Sequence, residues 1–95
     1  SEQREGGSGT TVARGVLSED GKRVDQVKII FRAMPTYNNG LHFGSRLVFA
    51  PDGKLFITLG DRFDKTAMRP LAQNLNAHNG KVVRINPDGS VPTDN

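Results

Sequence analysis

Three Asp-Gly turns, at Asp20-Gly21, Asp52-Gly53 and Asp88-Gly89, lie 32 and then 36 residues apart and constrain this chain more than any other feature. Each follows an apolar run of strand length, and glycine supplies the positive φ that a tight turn needs. Turns at that interval predict successive antiparallel units of similar length, near the blade length of many β-propellers. Composition agrees: 11 glycines and 5 prolines in 95 residues, with no tryptophan, suit turns better than a large core.

Between the turns the runs read as strands. Thr10 to Leu17 is the first, closed by Ser18-Glu19-Asp20-Gly21. From Gln26 to Ala33, period-two patterning sets Val27, Ile29 and Phe31 on one face and Lys28 and Arg32 on the other. Arg46 to Ala50 and Leu55 to Leu59 flank Pro51-Asp52-Gly53-Lys54 and predict a hairpin. Lys81 to Ile85 is the last strand, ended by Asn86 to Ser90. One short helical turn is expected over Pro70 to Asn76, with Pro70 suited to a first helical position. The polar, Gly-rich residues 1–9 are expected to be a flexible N-terminal segment, and residues 10–95 the β domain.

Several function classes are disfavoured. The 13 basic and 10 acidic residues alternate without forming a block, and there is no basic stripe with interleaved aromatics, so no nucleic-acid partner is expected. No apolar run reaches the length of a membrane span or a signal-peptide core. With no cysteine, disulfides, zinc–thiolate sites and thiol nucleophiles are excluded. His78 lies 36 residues from His42 without metal-ligand spacing, and no stretch meets the pattern of an EF-hand loop; no metal site is expected, and His78 is read as an exposed histidine.

The stretch from Gly40 to Asp61 carries the chemistry. With Pro51, Asp52 and Gly53 as a three-residue loop, Ala50 faces Lys54 and His42 faces Arg62; with a two-residue loop, Gly44 faces Asp61. Either register sets His42 and Asp61 at the open end of one hairpin, within diagonal reach. Gly40, Gly44 and Gly60 flank the pair and give the backbone freedom and a ligand room. Imidazole beside a carboxylate is the layout of a general base with its orienting partner. A loop cap and a strand end fit the same two residues, and the residues alone leave both open.

The ordered motifs His-x-Gly-x-Arg-Leu, Pro-Asp-Gly between apolar strands, Gly-Asp, Ala-Gln, and Gly-Lys-Val-Val-Arg-Ile-Asn-Pro-Asp-Gly-Ser-Val-Pro-x-Asp-Asn run from Gly40 to Asn95. They resemble the soluble PQQ-dependent glucose/sorbosone dehydrogenases. That resemblance implies an all-β fold, with antiparallel β-sheets forming about two blades of a six-bladed β-propeller, in a periplasmic or secreted parent. It implies oxidation of the anomeric hydroxyl of an aldose, with hydride passing to PQQ and calcium assisting the quinone. Carried over by position, His42 is the catalytic base and Asp61 the carboxylate that orients it. The cofactor-anchoring residues are expected outside this chain, which reads as a piece of a longer protein whose partners are the sugar and the remaining blades. Alone, such a piece is expected to be inactive and to self-associate through open sheet edges.

Other residues have ordinary explanations beside a functional one. Arg46 suits an anionic cofactor or a strand ion pair; Gln73 and Asn74 suit a sugar cleft or a solvated loop; Tyr37, Asn38 and Asn39 suit substrate contacts or a loop. Two other functions share such a ring: a non-catalytic ligand-binding propeller, against which the joint presence of His42 and Asp61 argues, and a metal-dependent sugar lactonase, which needs a carboxylate-rich cage absent from this sequence.

Overall fold

The computed structural model describes residues 1–95. Seven strands form three antiparallel sheets: β1 (Glu2–Arg4) with β2 (Gly7–Gly9), β3 (Thr11–Leu17) with β4 (Val24–Arg32), and β5 (Gly44–Phe49), β6 (Leu55–Leu59) and β7 (Val82–Ile85) in that order. A 3-10 helix, Arg69–Gln73, lies between β6 and β7 and starts within a residue of the expected helical turn.

β6 is the central strand, and its alternation is strict: Leu55, Ile57 and Leu59 are buried while Phe56 and Thr58 are half-buried. These three side chains meet Ile85 of β7 and Val12 and Ile30 of the β3–β4 sheet, so the core is where the two larger sheets stack. Ile57 is fully enclosed at 0% exposure. Truncating it to alanine removes buried methyl groups and leaves a cavity, so Ile57→Ala is expected to lower unfolding free energy by about 2–5 kcal/mol, measured by denaturant titration.

Two expectations need correction. Residues 1–9, read as flexible and without structure, form the β1–β2 hairpin, with Glu2 across from Gly9 and Arg4 across from Gly7. Long-range polar contacts hold it: Glu2 receives the Arg32 guanidinium at 3.0 Å and the Thr11 hydroxyl at 2.9 Å, and Ser8 bridges to Tyr37 through paired backbone bonds. None of these partners is local, so composition could not reveal them.

The second correction concerns β4. Of the residues expected to share one face, Val27 and Ile29 are exposed and Phe31 is only half-buried, whereas Ile30 is buried. The register moves from Val12 opposite Phe31 to Ala13 opposite Ile29, which leaves Ile30 as the extra residue of a β-bulge. A bulge breaks the period-two alternation on which the expectation rested.

The outer surfaces are unusually apolar. Every residue of β5 is exposed, and Leu47, Val48 and Phe49 are each at least half exposed, as are Val27 on β4 and Val82 on β7.

Candidate active site

The β5–β6 hairpin turns through Pro51-Asp52-Gly53, with the Ala50 amide donating to Lys54 O at 2.9 Å, so the three-residue alternative is the one observed. Gly53 has φ of 87°, the left-handed value that closes such a loop. The register then shifts. Leu47 pairs with Ile57 but Gly44 pairs with Leu59, so Ser45 and Arg46 together face Thr58, whose hydroxyl accepts the Arg46 amide at 2.9 Å. Beyond the bulge, the Gly60 amide donates to Phe43 O at 3.0 Å and the Arg62 amide to His42 O at 3.2 Å. At this open end the His42 and Asp61 side chains meet.

Gly44 and Gly60 make this approach possible. A Cβ on Gly44 would come within 2.6 Å of the Gly60 amide nitrogen, and one on Gly60 would strike the His42 carbonyl. The space expected for a ligand at these two glycines is taken by the opposing backbone.

His42 Nδ1 and Asp61 Oδ1 are 2.8 Å apart, with the side chains 46% and 31% exposed. Asp61 Oδ1 also accepts the Phe63 amide at 2.9 Å, and that bond, followed by the one from His42, holds the Asp61 carboxyl below the ordinary aspartate range. An ionised carboxylate can only accept, so Nδ1 carries a proton directed at Asp61, and Nε2 makes no hydrogen bond within the chain. By linkage, a depressed carboxyl contributes stability above its unfolded pKa, and that contribution is lost as pH falls through the lower folded value. The Asp61 carbonyl in turn accepts from the Asn79 amide at 3.2 Å.

Phe63 meets the His42 ring edge-on at 5.1 Å between centroids, and Arg69 covers Phe63 while its Nε donates to Phe63 O at 2.7 Å. His42, Ser45, Arg62 and Phe63 all have positive φ; the only other non-glycine residue with such a value is Gln26. Left-handed backbone at non-glycine residues costs about 1–3 kcal/mol apiece and gathers where surrounding contacts enforce a geometry.

The remaining candidates are dispersed or committed. Arg46 is exposed on β5, Gln73 is exposed at the end of the 3-10 helix and Asn74 just past it, and Asn38 is exposed. Tyr37 donates its hydroxyl to Asp64 Oδ2 at 2.6 Å, which together with turn amides pushes the Asp64 carboxyl far below its usual range. Asn39 uses its Oδ1 to accept the Leu41 amide at 2.7 Å. His78, expected to be exposed, is half-buried against Phe31 and accepts the Met34 amide at Nδ1, 2.9 Å away, because the chain folds back onto β4 there. Sequence reasoning missed Arg62, Phe63, Arg69 and Asn79. Arg62 directly follows the Gly60-Asp61 motif, but burial of an arginine leaves no mark in sequence.

No three His, Cys, Asp or Glu side chains gather into a group able to hold a metal ion. Near the pair, Arg62 spends its donors on carbonyl and hydroxyl oxygens, and Arg69 bonds Phe63 O and lies 3.9 Å from Asp61 Oδ2. These residues by themselves do not fit calcium or a tricarboxylate quinone.

The fold and this pair define an all-β, antiparallel chain that presents a carboxylate-oriented histidine at the mouth of a hairpin. The family model of glucose/sorbosone dehydrogenases matches residues 1–95, and the chain belongs to that family. It is 44% identical over 91 residues to the aldose sugar dehydrogenase YliI of Escherichia coli K12, covering 96% of this chain and 24% of that protein. It is 36% identical over 69 residues to quinoprotein glucose dehydrogenase B of Acinetobacter calcoaceticus, covering 57% of this chain and 14% of that one. A crystal structure of a glucose dehydrogenase superimposes with a TM-score of 0.90 at 43% identity, over 99% of this chain and 26% of that chain. The chain therefore spans about a quarter of the length of the first of these relatives and of the solved structure.

Proposed function

We propose that this chain is the base-bearing part of a quinoprotein sugar dehydrogenase of the periplasm or cell exterior, acting on the anomeric hydroxyl of aldoses. The observation that carries the reading is the 2.8 Å contact between His42 Nδ1 and Asp61 Oδ1 at a half-exposed position. His42 Nε2, unprotonated and open, accepts the hydroxyl proton, and Asp61 holds the ring and stabilises the imidazolium that results. PQQ, when bound, supplies the hydride acceptor and calcium polarises it; the names of the relatives support sugar oxidation and a quinone. Both are held by residues outside these 95, and the other propeller blades cover the apolar faces of β4, β5 and β7.

Reconstitution of the full-length protein with PQQ and calcium tests the reading. Aldose-dependent reduction of a dye is the expected result, and no turnover with any aldose would overturn it. Asp61→Asn sharpens the assignment. The amide oxygen can still accept from both Phe63 and His42, so orientation survives while the charge facing the imidazolium is lost. A charged hydrogen bond exceeds a neutral one by about 1–2 kcal/mol, so kcat is expected to fall about 5- to 30-fold, less than for loss of the histidine.

A further inference from the structure

Arg62 is 4% exposed, and none of the chain's ion pairs includes it. Its charge is met by carbonyl and hydroxyl oxygens instead. Nε donates to Leu41 O at 3.1 Å and Nη1 to Ser8 O at 2.6 Å; Nη2 donates to Ser8 Oγ at 3.2 Å, to Tyr37 O at 3.3 Å and to Asn39 O. The guanidinium carbon sits 4.0 Å from the centroid of the Phe43 ring. Adding its own amide on His42 O, one residue grips positions 37, 39, 41, 42 and 43, on both sides of the histidine, and ties them to the N-terminal hairpin.

A buried cation is expensive unless its donors are satisfied, so this loop cannot relax without stranding the charge. His42 is held at φ of 55°, a conformation that persists in a non-glycine residue only when its surroundings over-determine it. The contacts of Arg62 are those surroundings.

We propose that Arg62 is the positioning residue for His42, fixing the loop so that the imidazole meets Asp61 with Nε2 turned outward. This rests on the reading of His42 as the base. A lysine offers a compact point charge in place of the planar fork and cannot reach five acceptors at once.

The test uses Arg62→Lys and Phe43→Leu in the full-length holoenzyme. Arg62→Lys is expected to lower kcat per active site about 10- to 100-fold with KM for the aldose unchanged, the effect of misplacing a reacting group by about an ångström. In 15N NMR, His42 of the native protein is expected to show the Nδ1–H tautomer, and that of Arg62→Lys a mixture. Phe43→Leu, which keeps every hydrogen bond, is expected to shift both readouts the same way by a smaller amount. A native kcat and a single Nδ1–H tautomer in Arg62→Lys would make Arg62 purely structural and overturn the proposal. Should Arg62→Lys not fold, the same native result in Phe43→Leu would overturn it. The tautomer measurement needs no turnover, so it judges Arg62 even where native activity in His42→Ala removes the histidine from the mechanism.

Discussion

Replacing His42 with alanine in the full-length protein is expected to lower kcat by about two to four powers of ten while leaving cofactor binding intact, the scale of losing a positioned general base. The structure gives the variant a clean interpretation. The His42 side chain is nearly half exposed and makes its one side-chain hydrogen bond to Asp61. Its removal therefore opens no core cavity, and Asp61 keeps the Phe63 amide. Stability should change little, so lost turnover reports the proton transfer and not unfolding. Steady-state kinetics beside thermal unfolding is the measurement. Near-native kcat in a folded His42→Ala protein would exclude the histidine as base.

The isolated 95 residues are expected to show no useful turnover with any aldose and no tight PQQ binding. The physical reason is division of labour. On the proposed reading this chain offers a base and its partner, but no three His, Cys, Asp or Glu side chains gather to hold a metal, and the buried Arg62 beside the pair has its donors already engaged. Hydride transfer requires base and acceptor face to face, and about an ångström of misplacement already costs about two powers of ten. The same piece leaves Leu47, Val48 and Phe49 of β5 and Val82 of β7 exposed on strands paired on one side only. Apolar, half-paired edges template association between copies. Light scattering of the purified piece is expected to show oligomers, and dye-linked assays with PQQ and calcium to show none of the full-length activity. A monomer with robust turnover would contradict both parts.

Much of the fold was legible because its determinants are local. Gly53 imposes a turn wherever the chain goes, and Leu55, Ile57 and Leu59 alternate because β6 has one face in the core. The β6 boundaries match the expectation, and β3, β5 and β7 lie within a few residues of theirs. His42 and Asp61 were legible as neighbours because a hairpin fixes which residues share its open end.

What the sequence determined by itself is the set of strands, the turns between them and the presence of a histidine and a carboxylate at one hairpin mouth, all consequences of local conformational preference and alternation. Tertiary structure alone decided three things. The bulge at Ser45–Arg46 shifted the register of the hairpin that carries His42 and Asp61, the bulge at Ile30 chose which face of β4 entered the core, and Arg62 was buried under the His42 loop. Each depends on contacts between segments distant in sequence: a one-residue slip in pairing or the burial of a cation becomes favourable only when backbone groups from elsewhere in the chain arrive to satisfy it.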